Sequence, residues 1–307
     1  MGGIGTVMLE KMEGRYLKTF LAVWEQRNFS KAAEYLGYVQ STVTVHISLM
    51  EEALGVKLFT RLSRGVEPTE AGIKAAAYIY QWEQLGRALE AELSSGGEPA
   101  GVVRIRLLES LCVSVLPGFL QQFLKSYSGI KLRLETGFMQ DIAEAVRARQ
   151  VDFGIVPKDP ESDDLHFTLL MEDELLCVAA PELAARIERS GWKSAGEEPV
   201  LSFGSRCMYQ TAAGQVLSAA GVDRIRYTEF ASLDLIRQTT AAGLGIAFLP
   251  AVTVRGELSS GILASIPLDN PVKLGYGLIE RKDRYINPAG ETFKNSLISS
   301  LDLFPIQ

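Results

Sequence analysis

Cysteine and histidine are scarce in this 307-residue chain. Its three cysteines, Cys112, Cys177 and Cys207, stand far apart and form no CxxC pair. That spacing argues against a disulfide framework or a thiolate zinc site, and the expectation is a reducing, cytoplasmic setting. His46 and His166 are the only histidines, which leaves little material for a His-based metal site or catalytic triad. No metal or cofactor is expected. No apolar run nears the ~20 residues that span a bilayer, so no membrane partner is expected. The opening stretch MGGIGTVMLEKMEG lacks the basic-then-apolar order of a secretory signal. It does match an acylation spacing at Gly2 and Thr6. It also fits a leader over residues 1–13, with Met8 or Met12 as alternative starts. Catalytic signatures are missing as well: GxSxG, HExxH, a Walker lysine and a complete GxGxxG are absent, and GLG at 243–245 is too short. The chain is therefore not expected to be an enzyme.

Excess positive charge is missing too. The net charge is −6, which on its face argues against nucleic acid. The distribution is uneven, however. Residues 1–68 hold eight Lys/Arg and seven Asp/Glu, a net of +1, which leaves −7 for the remainder. Between Ala53 and Val66 stand Lys57, Arg61 and Arg64 with no acid among them. A small basic patch on an acidic protein is compatible with phosphate contact.

The length allows two or three domains, and 47% apolar with 22% charged residues is an ordinary globular composition. Leu17, Phe20, Leu21 and Trp24 share one helical face. A second helix is expected to start at a cap-like Ser30 and end at Gly37. A third is expected from about Val39 to Leu54, with Val43, Ile47, Met50 and Leu54 facing inward. At about 100° per residue, Ser41, Val45 and Ser48 then point outward, with Thr42 and Thr44 on the flanks. Ser and Thr are mediocre helix formers, so short polar groups on that face call for a functional reason. KLFTRLSRGVEPT reads as two extended pieces around a Gly turn. Pro68 and Thr69 open a long helix to about Leu93. Its residues Ala71, Ala75, Tyr78, Trp82, Leu85 and Leu89 form a heptad seam that favours pairing of two chains.

SSGGEPAG, residues 94–101, is a linker by composition. Strands then alternate with helices: VVRIRLL, KLRLETG, VDFGIVP, ELLCVAA, PVLSFG, IRYTEF, GIAFLP, ILASIPL and LGYGLIE. Helices are expected to begin at Ser110 and Asp141. This pattern implies an α/β region with a largely parallel sheet or sheets.

Helix, Gly turn, helix with a polar outward face, then a basic hairpin reads as a winged helix-turn-helix. FSKAAEYLGYVQSTVTVHISLMEEALGVKLFTR and RGVEPTEAG resemble the DNA-binding domain of LysR-type transcriptional regulators. Phe20, Phe29, Ala32, Ala33, Leu36, Gln40, Ser41, Val43, Glu51, Leu54, Gly55, Leu58, Phe59, Arg61, Thr69 and Gly72 match its pattern. VDFGI, AAGLGIAFLP and YGLIERKDR resemble the family's effector domain.

The resemblance implies a fold and a division of the chain. The fold is an N-terminal all-α winged helix-turn-helix with a long linker helix, followed by a C-terminal α/β, two-lobed, periplasmic-binding-protein-like effector domain. The winged domain would cover 14–72, the dimerisation helix 69–93, the hinge linker 94–101 and the effector domain 102–307. Lobe I would comprise about 102–172 and 277–307, and lobe II about 173–276. Partners would be double-stranded operator DNA, a small-molecule effector and further copies of the chain, as a dimer through the linker helix and a tetramer. RNA polymerase is a further partner the family allows.

On the DNA side, Gln40, Ser41, Thr42 and Thr44 would read or position on base edges and phosphates. Ser30, Lys31, Val45 and Ser48 would join them, and Arg61 and Arg64 on the wing would meet phosphate or the minor groove. Three positions depart from the family pattern: Val39 stands for a usual Ser, Val45 for a usual basic residue and His46 for a common Gln. Val45 fits a thymine methyl instead, and a hydrogen-bonded structural role is expected for His46.

On the effector side, Ser110, Leu111, Gly137, Phe138, Phe203, Gly204, Arg206 and Cys207 would line the cleft at strand-to-helix turns. Helix N-termini, including one at Ser110, together with Arg206, favour a small carboxylate. Cys207 falls where peroxide-sensing relatives carry a reactive thiol, and Arg206 beside it would favour thiolate. Val216 stands where the resolving cysteine would be, so a packed or ligand-touching thiol is preferred to a redox-responsive regulator. A solute-binding protein built on the same lobes is the other alternative, and it would leave residues 14–93 without a purpose.

Overall fold

The computed structural model describes residues 12–62, 65–94, 99–222, 224–283 and 286–301. Most of the 1–13 leader, Arg64 and half of the 94–101 linker (95–98) lie outside these residues. Chain contacts separate a unit formed by Met1–Gly97 with Ala148–Gln150 from a larger unit formed by the remainder.

The first unit holds α1 (Gly14–Gln26), α2 (Phe29–Leu36) and α3 (Gln40–Leu54), a hairpin of β1 (Phe59–Arg61) and β2 (Val66–Pro68), and α4 (Glu70–Ser94). The apolar stripe of α1 meets those of α2 and α3 around Phe20, Ala32, Val43, Met50 and Leu58, all fully buried. α2 ends where Gly37 takes the left-handed backbone, φ 69°, and its N–H returns to the carbonyls of Ala33 and Glu34. α4 starts from a Thr69 cap: the hydroxyl accepts the Gly72 N–H at 3.0 Å and donates to Lys57 O at 2.6 Å. A Cβ at Gly72 would lie 2.1 Å from Leu58 O, so only glycine lets this helix approach the wing. On α4, Ala76, Ile79 and Tyr80 are buried against this core.

In the second unit the helices lie between strands β3 (Gly101–Leu107), β4 (Ile130–Thr136), β5 (Phe153–Val156), β6 (Leu165–Ala179), β7 (Pro199–Ser202), β8 (Arg226–Glu229), β9 (Ile246–Pro250), β10 (Ala264–Ile266) and β11 (Val272–Arg281). Among the described residues the order is β4-β3-β5-β11-β6-β9-β7-β8, with β10 also on β6. The expected parallel pairing holds within β4-β3-β5 and within β9-β7-β8. It fails at the centre, where β11 runs antiparallel to β5 and β6, and β6 antiparallel to β9 and β10. The reason is length. β6 is a 15-residue strand beginning at Leu165, well before ELLCVAA, and with β11 it links the two parallel groups. Their register shifts between Tyr276 and Gly277.

Two expected helix starts also move. The helix near Ser110 begins at Glu109 and lasts six residues as α5 (Glu109–Ser114). Pro117, which has no N–H to donate, lies in the first turn of the next helix, α6 (Leu116–Ser126). α7 spans Met139–Arg147, two residues ahead of the expected Asp141. Further on are α8 (Pro181–Ser190), α9 (Met208–Ala219), α10 (Leu233–Ala241), α11 (Ala251–Ser259) and α12 (Pro288–Leu301).

Candidate nucleic-acid interface and effector site

In the first unit the cap of α2 is Asn28, not Ser30. Asn28 Oδ1 accepts the N–H groups of Ser30 at 2.9 Å and Lys31 at 3.1 Å. The Ser30 hydroxyl is thereby free to donate to Gln40 Oε1 at 3.0 Å, tying α2 to the first residue of α3 across the turn. Ser41, Val45 and Ser48 are exposed, and Thr42 and Thr44 are half-buried on the flanks. Lys31 and Gln40 are exposed beside them. The N-terminal part of the helix therefore presents a row of short side chains that leave it free to approach a groove, with the longer Glu52 on the same face further along.

His46 is buried. Its Nδ1 lies 2.9 Å from Thr19 Oγ1, whose single proton is donated to Arg15 O at 2.8 Å. The hydroxyl must then accept, so His46 carries its proton on Nδ1. Burial, with Arg15 adding to it, holds the imidazole below its usual pKa. Its ring packs between Tyr16 and Tyr38 at 4.9 and 5.7 Å, as a structural histidine would.

On the wing, Arg61 is exposed and its guanidinium lies 5.0 Å from the Phe29 ring centre, beside the start of α2. Lys57 Nζ pairs with Glu51 Oε2 at 2.6 Å. The other oxygen of Glu51, a buried residue, accepts the N–H groups of Leu58 at 2.9 Å and Phe59 at 3.4 Å. This carboxylate joins the end of α3 to the first strand of the wing.

In the second unit one expected effector residue, Ser110, belongs to a buried row of hydroxyls. Ser110 Oγ lies 3.2 Å from the Tyr209 hydroxyl, which lies 2.9 Å from that of Tyr276. All three residues are buried, and burial raises both phenol pKa values. Glu109 Oε1 accepts the Leu233 N–H at 2.9 Å, so a protein carboxylate already sits at the start of α10. Asp173 accepts the Val252 N–H at 3.2 Å, and burial raises its pKa against that bond.

Several groups invoked for an anion are already engaged within the chain. Ser110 is the second residue of a six-residue helix, not the head of a long one. Arg206 is spent on an ion pair with Asp141, its guanidinium 5.1 Å from the Phe138 ring centre. Leu111 is buried. Gly137 packs against the Arg106 side chain, and Gly204, φ 100°, against the Glu229 carboxylate. Phe203, Cys207, Tyr209 and Gln210 line a cavity of only about 10 Å³, room for about one water molecule.

The preference for a packed thiol over a thiolate at Cys207 agrees with its surroundings. Cys207 is buried at the head of α9, and burial raises its thiol pKa although the backbone N–H groups of Tyr209 and Gln210 oppose the shift. Arg206 turns away to Asp141 and does not activate it.

Residues 15–73 match the bacterial regulatory helix-turn-helix protein family of lysR type, and residues 96–302 match the LysR substrate binding domain. HTH-type transcriptional regulator YofA of Bacillus subtilis is 30% identical over 93% of this chain and 98% of its own length. The chain belongs to the LysR family of transcriptional regulators. In this LysR-type regulator the winged unit is the DNA-binding domain and the larger unit the effector-binding domain. GltR of the same bacterium is 28% identical over 92% of this chain and 95% of its own. Among solved structures, ArgP of Mycobacterium tuberculosis superposes with a TM-score of 0.77 at 18% identity, covering 94% of this chain and 97% of that one. LysG of Corynebacterium glutamicum, with bound effector Arg, gives 0.70 at 19% identity, covering 95% and 99%. At these identities the structures show that the LysR fold is shared.

Sequence reasoning missed Asn28, Glu109, Asp173, Tyr209 and Tyr276. Asn28 carried a legible signal, an Asx residue before an apolar-periodic run. The tyrosines carried none, because their partners are distant along the chain.

Proposed function

We propose that this regulator docks α3 in the major groove of an operator duplex and places Arg61 of the wing on the backbone. The observation that carries the reading is the outward face of α3, where Ser41, Val45 and Ser48 stand exposed opposite a buried Val43, Ile47 and Met50. Two chains pair through α4, where Tyr78 (65%), Trp82 (53%), Leu85 (51%) and Leu89 (56%) are exposed along one seam. A pair of such dimers, a cytoplasmic setting and contact with RNA polymerase follow the family pattern.

The larger unit divides into lobes, 102–172 with 277–307 against 173–276. Antiparallel β6 and β11, and the register shift beside Tyr276, support the division. The effector enters between the lobes at Ser110, Gly137–Phe138 and Phe203–Cys207. Because Tyr209 fills that space, the effector displaces the Ser110–Tyr209 contact. A carboxylate effector additionally draws Arg206 from Asp141. The effector shifts operator affinity by binding one lobe arrangement more tightly than the other.

The test is a gel shift on duplexes selected from a random-sequence pool, repeated at several salt concentrations. Arg61→Ala should weaken all duplexes and flatten the salt dependence, whereas Ser41→Ala should reorder preference among them. Unchanged affinity and preference in both variants would overturn the placement of α3 and the wing.

A further inference from the structure

The centre of the DNA-facing surface of α3 carries neither a charge nor an amide. At about 100° per residue, Val45 lies about 180° from the mean direction of Val43, Ile47, Met50 and Leu54, the side that faces the core. It is 53% exposed. Its neighbours one turn away are Ser41, Thr42, Ser48 and Leu49, none long enough to cover it. Glu52, one further turn along the same line, is exposed and acidic, so the approach to phosphates is confined to the N-terminal part of the helix. The flanking cations Lys31 and Arg61 lie on other elements.

A valine has no donor or acceptor. Among the groups on the floor of the major groove, the one that rewards an aliphatic side chain is the C5-methyl of thymine. We infer that Val45 is a specificity-determining residue that reads a thymine methyl, and that the bound sequences carry a T at one fixed position in each half-site. The inference rests on the docking of α3 proposed above.

The test uses duplexes retained by the full-length protein from a random-sequence pool, resynthesised with deoxyuridine replacing thymidine one position at a time. This removes the methyl and leaves base pairing intact. The wild type should lose about fourfold in affinity at one thymidine per half-site, the worth of one buried methyl-sized group. Val45→Ala, at an exposed helical position where alanine favours the fold, withdraws the two terminal methyls and should shrink that difference to less than about twofold. Uniform indifference of the wild type to deoxyuridine, with the duplex still protected, overturns the inference and leaves the docking of α3 standing. So does an undiminished fourfold loss in Val45→Ala, which would assign the methyl to another side chain. Failure to protect any duplex overturns the docking of α3 and the inference together.

Discussion

Glu51 offers a quantitative test of how the wing is held. Its buried carboxylate accepts the Leu58 N–H at 2.9 Å and, more weakly, the Phe59 N–H at 3.4 Å, and its other oxygen meets Lys57 Nζ at 2.6 Å. These contacts are unequal. The Lys57 side chain is 76% exposed, so water screens that pair, and an exposed ion pair contributes about 0–1 kcal/mol. Leu58 is fully buried, and its N–H has no solvent to fall back on. Removing the acceptor costs a charge-assisted hydrogen bond and strands a buried donor, about 3 kcal/mol in all.

Glu51→Ala should therefore speed amide hydrogen exchange in the segment 57–69 by about a hundredfold, at a factor of ten per ~1.4 kcal/mol. Glu51→Gln keeps a carbonyl oxygen for Leu58 but presents an amide to the ammonium, and should speed exchange about tenfold or less. Lys57→Ala should change it less than about fivefold. The readout is exchange followed by mass spectrometry on the full chain, which isolates this segment from the larger unit. If Lys57→Ala loosened the wing as much as Glu51→Ala, the ion pair and not the backbone acceptor would be the tie. The reasoning would then be refuted.

Other residues give simpler expectations. Val39 holds the N-cap position of α3 with extended backbone and no side-chain bond to the first turn, so Val39→Ser should stabilise the winged domain by about 1 kcal/mol in urea titration. His46 has its pKa held below the ordinary 6.5, so the unfolded chain takes the proton first. The stability this group contributes is complete above about pH 6.5 and is lost as pH falls towards the depressed folded value. The urea midpoint of the winged domain should accordingly drop between pH 7.5 and 5.5, and less so in His46→Gln. Trp82 is 53% exposed on the α4 seam. Trp82→Asp puts a charge where two chains are proposed to meet and should shift light scattering to a smaller species with weaker operator binding, while an unchanged oligomer would rule the seam out.

The winged domain was legible because its signals are local. Phe20, Val43, Ile47 and Met50 announce their helices by spacing, Gly37 and Gly55 end two of them, and Thr69 caps a third. One boundary slipped by a residue because two candidate caps, Asn28 and Ser30, stand near each other. The backbone chose Asn28, whose side chain reaches both free N–H groups, and that choice released Ser30 to meet Gln40. Glu51 belonged to the family pattern, but nothing in the sequence around it told that its partners would be backbone groups seven and eight residues on.

The proposed effector site rests on turns that the sequence made legible, while the chemistry at those turns was not. Strand-to-helix turns follow from the alternation of periods, so Ser110, Gly137 and Phe203 could be placed near one another. What fills the space between them depends on pairs far apart in the chain: Ser110 with Tyr209, Tyr209 with Tyr276, Glu109 with Leu233 and Arg206 with Asp141. The charge of Arg206, read alone, pointed to an anion, whereas in the fold Asp141 already competes for it. The length of β6 was hidden for a related reason. Residues Leu165 to Glu174 pair with β11 although their burial does not alternate and three acids occur in a row, so the strand is specified by its partner and not by its own pattern. The same antiparallel pair carries Tyr276, beside the register shift, into the row of hydroxyls. If the proposed effector moves Tyr209 away from Ser110, it also acts on the Tyr209–Tyr276 contact, and so on the strand that links the two parallel groups.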